Sequence, residues 1–220
     1  MATEPPIPHL DRNVRLYPWY ALSFNAYFWM PVYVLYFLQH MPLATVLRLE
    51  AIYYLGVVVL EVPSGYFSDR FGRRPTLLLA SLFLLFAYLL FFLGDSFGVF
   101  AIAQILLAAG LAFNSGTDTS LHYDSLASMG REAEYDQREA VASRNMLLAS
   151  GLAGLLGGAV AMAGLRYAYL LSAAAALASL GIAIAMREPV SHMGRASSTY
   201  RRPAPTPASL LTTLSKSTAS

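Results

Sequence analysis

Six apolar runs follow one another along the chain, near residues 17–38, 49–68, 76–94, 97–117, 141–164 and 168–186. Each is long enough to cross a hydrocarbon core of about 30 Å as a helix of about 20 residues. None alternates apolar with polar positions, and all exceed the length of a barrel strand, so the pattern predicts helices. The punctuation between runs fits helix ends: Met41-Pro42, Gly72 through Pro75, Gly94-Asp95, Gly164 and Pro189. The first run does not read as a cleaved signal peptide, because it is long, follows the acidic, proline-rich Glu4-Pro5-Pro6, and precedes no small-residue cleavage site. The expected fold class is all-α, a polytopic membrane protein with six transmembrane helices.

Composition supports this. Hydrophobic residues make up 56% of the 220 and charged residues 13%, about half the roughly 25% usual in soluble chains. A soluble fold of this size needs a polar skin that the chain does not supply. The net charge of +2 is too small for a nucleic-acid binder, and no cysteine is present for a disulfide, a thiolate metal site or a nucleophile.

The placement of the basic residues says more than their sum. Arg12 and Arg15 precede the first run; Arg70, Arg73 and Arg74 separate the second and third. Arg131, Arg138 and Arg144 separate the fourth and fifth, and Arg187, Arg195, Arg201, Arg202 and Lys216 follow the sixth. Only Arg48 and Arg166 fall on the other side, so the positive-inside bias puts both termini in the cytoplasm. The expected organisation is a cytoplasmic segment over 1–15, a six-helix bundle over 16–187 and a disordered cytoplasmic tail over 188–220, rich in Ser, Thr, Pro and Ala. The one sizeable loop, 122–140, carries mixed charge and reads as a solvated interfacial helix.

The sharpest local signal follows the second run: Gly65-Tyr66-Phe67-Ser68-Asp69-Arg70-Phe71-Gly72-Arg73-Arg74. Gly72 permits a tight turn closed to other residues. Gly65 would let another helix approach closely. Asp69 is suited to accept bonds from a helix N-terminus or to pair with arginine.

The frame Gly65-x-x-x-Asp69-Arg70-x-Gly72-Arg73-Arg74, between the second and third helices, resembles the signature loop of the major facilitator superfamily. The resemblance covers roughly 17–188, which corresponds to the family's N-terminal six-helix half. It implies secondary transport by two halves rocking around a central site, with this loop stabilising the outward-facing state. It also implies that Asp69 and Arg73 join a charge relay with the cytoplasmic ends of neighbouring helices. Glu61, ahead of Pro63 and Gly65, is similar to an acidic position of many members. Members usually carry two six-helix halves. This chain carries one, so it is expected to be a truncated product, half of a split transporter, or a homodimer of halves.

Polar residues inside spans are costly in lipid and usually face a cavity or a partner. Glu61 reads as the one carboxylate well inside an apolar run, suited to hold a proton or cation, to pair with an arginine, or to make a structural hydrogen bond. Asn25 lies among Tyr17, Tyr20, Tyr27, Trp29 and Tyr33, which suits a pocket for a small organic solute as well as it suits core and interfacial packing. Asn114, Asp118 and His122 recur every four residues and share one helix face, with Asp124 close by. Arg70 or Arg73 paired with Asp118 or Asp124 would form a cytoplasmic gate latch; polar helix termination is the alternative. Gly151, Gly154 and Gly158 mark a close-packing face on the fifth helix, and the sixth is equally rich in small residues.

Enzymatic readings find no footing. His9, His40 and His192 lie outside the spans, His122 sits at an edge, and Ser115-Gly116 does not supply the serine frame of an intramembrane protease. The chain has no glycine-rich phosphate loop, no metal-binding histidine pair and no water-channel Asn-Pro-Ala motif. No catalytic residue, metal or other cofactor is expected. The expected partners are membrane lipid, a small-molecule substrate and a second six-helix half, and not nucleic acid. The expected activity is movement of a small solute, coupled to protons through Glu61 or the acids of the fourth helix. A non-transporting fragment or assembly subunit is the alternative.

Overall fold

The computed structural model describes residues 8–189. The expected tail from residue 190 onward and the first seven residues, with their charges, lie outside them. The described helices are α1 (Pro8–Phe24), α2 (Tyr33–Leu38), α3 (Leu43–Phe71), α4 (Arg73–Leu93), α5 (Phe97–Asn114), α6 (Thr117–Ala127), α7 (Tyr135–Ala161) and α8 (Arg166–Ala185), with a 3-10 turn at Glu132–Glu134. Among the described residues, five stretches are long and apolar enough to cross a membrane: α3, α4, α5 continued by α6, α7, and α8.

The first predicted span, 17–38, differs. It is two helices, α1 and α2, joined by irregular backbone over 25–32. The Asn25 side chain competes for the helix, its Nδ2 donating to the Ala21 carbonyl at 2.8 Å. Pro31 has no N–H to give to a helix running through it. Irregular backbone at membrane depth survives where protein covers it, and here α7 does so. Ser150 Oγ donates to the Asn25 carbonyl at 2.8 Å. A Cβ on Gly157 would collide with the Phe28 carbonyl, so only glycine admits the broken segment there.

Two further breaks fall at glycines in left-handed backbone. Gly72 (φ 103°) ends α3 and starts α4, and Gly116 (φ 70°) separates α5 from α6. A side chain at either position would clash with its own backbone. At 29 residues, α3 runs about 44 Å at 1.5 Å per residue, longer than the hydrocarbon core.

The bundle centres on α4, which packs against α5 and α8, while α3 packs against α5. Ala80, Leu84 and Ala87 of α4 are fully buried. Gly110 of α5 leaves room for the Leu84 side chain, and Gly56 of α3 for Ala108. Ala168, Ser172, Ala173, Ala176, Ser179 and Ala183 of α8 are buried at helical spacing, and Ser179 Oγ donates to Ser81 Oγ of α4 at 3.2 Å. Small residues bring these backbones close, which is how helices associate in lipid.

The glycine face of α7 behaves otherwise. Cβ atoms on Gly151, Gly154 or Gly158 would meet nothing within 4 Å, as would one on Gly65 of α3. The close approach uses Gly157 alone. On α3, Tyr54, Leu55, Val58, Val59 and Val62 are exposed, as are Leu147, Leu148, Leu152, Leu155 and Leu156 on α7.

Candidate functional site

The signature loop is a junction of four helices. Arg73, the first residue of α4, donates from Nη1 to Asp69 Oδ1 at 2.8 Å and to Ser68 Oγ at 2.9 Å, both on the last turns of α3. Its Nε lies 3.6 Å from Asp124 Oδ2 of α6. Thr117 Oγ1 at the start of α6 donates to the same Ser68 Oγ at 3.2 Å. Asp69 therefore pairs with arginine, while the N-terminus of α4 is met by a different carboxylate. Glu188 accepts from the backbone N–H groups of Arg73 at 2.7 Å and Arg74 at 2.8 Å. Arg74 Nη2 donates to the Ile184 carbonyl of α8 at 2.9 Å. Arg70 points elsewhere, donating to Tyr66 Oη at 2.9 Å and lying over the Phe71 ring.

A model of the Major Facilitator Superfamily matches residues 16–218. The chain belongs to the major facilitator superfamily. No curated protein matches it significantly. This superfamily chain is a multi-pass membrane protein of the transporter type.

Above the loop, a string of buried polar groups follows the seam between α1 and α5–α6 of this superfamily bundle. Tyr20 Oη donates to Asn114 Oδ1 at 2.8 Å, and Asn114 Nδ2 to Asp118 Oδ2 at 3.2 Å. Asp118 Oδ1 also accepts the Thr119 backbone N–H at 2.8 Å. Asp118 makes no ion pair with an arginine among the described residues. The helix break at Ser115–Gly116 turns the polar face without separating Asn114 from Asp118.

One turn further, His122 is 1% exposed. Its ring stacks on Tyr17 at 4.1 Å, and its Nδ1 lies 3.1 Å from Glu139 Oε2 of α7. Glu139 Oε1 takes the Tyr17 hydroxyl at 2.9 Å. Asn13, fully buried, donates to Ser125 Oγ at 2.9 Å and holds both the carbonyl and the N–H of Arg187.

The segment 122–140 is also more than a solvated loop. Arg131 bridges Asp11 of α1 at 3.0 Å and Glu134 at 2.7 Å, and Arg138 meets Glu134 at 2.8 Å. Arg15, then Arg131, hold the Asp11 carboxyl below its ordinary value. Arg131, then Arg138, hold Glu134 down at about 2.

Asn25 serves the break, accepting Tyr27 Oη at 2.9 Å besides its bond to Ala21. Glu61 is exposed on α3, and no side chain pairs with it among the described residues. The half-buried carboxylate of α3 is instead Glu50, which accepts from Gln104 Nε2 at 3.3 Å. Glu50, Glu139 and Glu188 were the acids missed in sequence. The position of Glu50 just inside the second apolar run was the one available signal.

Proposed function

We propose that this chain forms one six-helix half of a secondary transporter that moves a small solute by alternating access, in a cell membrane with both termini cytoplasmic. The observation that carries the reading is Arg73, which spans Asp69 of α3 and Asp124 of α6 at one end of the bundle. An arginine shared between two carboxylates on different helices can release one and keep the other, so it suits a latch on the cytoplasmic ends of those helices. A second half, a copy of this chain or a split partner, covers the exposed faces of α3 and α7. Asp118 is the proton-coupling group in this reading, because Asn114 and Thr119 hold it in a polar seam, while Glu61 faces outward from α3. The role is transport and not catalysis.

Single-cysteine labelling tests the latch without background, since the natural chain has no cysteine. Ser115→Cys places a thiol on the exposed turn between α5 and α6. Asp124→Asn is expected to raise its modification rate by an impermeant reagent from the cytoplasmic face several-fold. Equal rates with and without Asp124→Asn, in a folded protein, would remove the latch. The exposed faces of α3 and α7 also suit an assembly subunit. A mass of one chain in mild detergent, together with no solute flux in vesicles, would favour that role.

A further inference from the structure

At the end of the bundle opposite the signature loop, Glu50 lies about 10 Å along α3 from Leu43, at 1.5 Å per residue. It lines a cavity of about 170 Å³ walled by α2, α3, α4, α5, α8 and the broken segment after α1. Most of the remaining lining is aromatic, Trp29, Tyr33, Tyr53, Tyr54 and Tyr169 among it, with Met30 and Leu107 beside it. We propose that this cavity is a binding site for a small organic ammonium ion that carries one further hydrogen-bonding group. The proposal rests on the transport reading only in making that ion the cargo.

Three observations point to such a ligand. First, the Glu50 carboxylate is half-buried among apolar groups, and among the described residues no arginine, lysine or histidine pairs with it. Its side-chain hydrogen bond, from Gln104 at 3.3 Å, is long against the usual value of about 2.9 Å. A carboxylate at that depth is costly without a cation.

Second, the rings that surround it are set and not loose. Trp29 Nε1 donates to Tyr88 Oη at 3.1 Å. The Trp29 ring lies parallel to Tyr169, 6.3 Å apart, and edge-on to Tyr33 at 5.7 Å. Tyr53 and Tyr54 meet edge to face at 5.0 Å. Ring faces carry negative potential, so this wall attracts a cation and repels an anion.

Third, Tyr169 is 1% exposed, lines the cavity, and its hydroxyl has no hydrogen-bond partner among the described residues. A buried hydroxyl left unpaired is unfavourable, and a ligand N–H or O–H would satisfy it.

The chemistry excludes the simpler occupants. One carboxylate cannot replace the oxygen shell of a divalent metal, and no group of potential metal ligands gathers among the described residues. The volume is below the roughly 300 Å³ at which drug-sized sites begin, so the ion is small.

Choline and its neutral isostere 3,3-dimethylbutan-1-ol differ in the charged nitrogen and share the hydroxyl, which makes them the probes. The chain has two tryptophans, so Trp19→Phe leaves Trp29 as the sole indole reporter in nanodisc-embedded protein. Choline is expected to change Trp29 emission saturably, and the neutral isostere to bind at least about tenfold more weakly. Glu50→Gln is expected to weaken choline binding about tenfold and erase the preference for charge, and Tyr169→Phe to weaken it a few-fold. Glu132→Gln, at the far end of the bundle, is expected to bind as the parent does. No saturable change with choline, equal binding of the neutral isostere, or unchanged affinity in folded Glu50→Gln and Tyr169→Phe would each overturn the site. Choline flux into vesicles is measured separately. Binding without flux would overturn the transport reading and leave the site standing, whereas flux without dependence on Glu50 would do the reverse.

Discussion

Glu188, just past the end of α8, accepts a 2.7 Å hydrogen bond from the backbone N–H of Arg73, the first residue of α4, across 115 residues of chain. A helix N-terminus carries unpaired N–H groups and a partial positive charge, and a carboxylate there satisfies both. The sixth apolar helix is thereby tied to the signature loop. Glu188→Ala is expected to cost about 1 kcal/mol, the usual worth of a helix cap. Thermal unfolding in detergent measures it, and an unchanged midpoint would show the cap to be idle.

Gly72 meets the same carboxylate. Its φ of 103° is closed to side chains, and an added Cβ would lie 2.7 Å from Glu188 Oε1. Gly72→Ala should therefore cost more than Glu188→Ala, by about 1–3 kcal/mol for the strained backbone alone. The double variant should recover the part due to collision and keep the part due to φ.

Arg73 has two carboxylate partners of unequal closeness, Asp69 at 2.8 Å and Asp124 at 3.6 Å. Partly exposed pairs of this kind are worth about 0.2–1 kcal/mol. Asp124→Asn should barely move the unfolding midpoint, while it changes the labelling rate of Ser115→Cys. A double-mutant cycle between Arg73→Gln and Asp124→Asn should give a coupling below about 1 kcal/mol. A larger coupling would mark a permanent structural pair and not a releasable one.

The glycines of α7 should separate cleanly. Gly157→Ala drives a methyl into the Phe28 backbone, and overpacking of this kind costs about 1–3 kcal/mol. Gly154→Ala and Gly158→Ala enter open space, and should be neutral or stabilising by up to about 1 kcal/mol through helix propensity. Unfolding midpoints of the three variants decide between this and packing through the Gly154–Gly158 spacing.

The charged tie between α1 and the 122–140 segment should loosen in acid. Glu134 has its carboxyl lowered from 4.5 to about 2 by Arg131 and Arg138, and Asp11 is lowered by Arg15 and Arg131. A carboxyl whose folded pKa is depressed stabilises the fold above its unfolded value, and that contribution fades as pH falls toward the folded one. Hydrogen exchange around Tyr135 should therefore rise as pH is lowered from about 4.5 to about 2 relative to Arg131→Gln, in which the tie is already lost. Parallel profiles in the two proteins would show that Arg131 does not hold it.

Much of the architecture was legible because lipid imposes a simple code. Runs of apolar residues longer than a bilayer core must be helices, and glycines between them mark turns, which is how α3, α4, α5, α7 and α8 and the Gly72 turn are written in the chain. The pairing of Asp69 with Arg73 is close in the chain for the same local reason: the two lie four residues apart across the Gly72 turn, and the pair needs no distant partner. The break after Phe24 was harder, because Asn25 and Pro31 weaken a helix without ending it, and the outcome depends on Gly157 arriving from α7.

Local chemistry by itself thus determined the membrane class, the long helices and the polar character of the α5–α6 face. Tertiary structure alone decided which carboxylates matter and to whom they belong. Glu188 reaches the start of α4, Glu139 reaches Tyr17 and His122, and Glu50 rather than Glu61 turns into an aromatic wall. A side chain's hydrogen bonds and burial are set by neighbours in space, and residues 115 apart become neighbours only when the bundle closes.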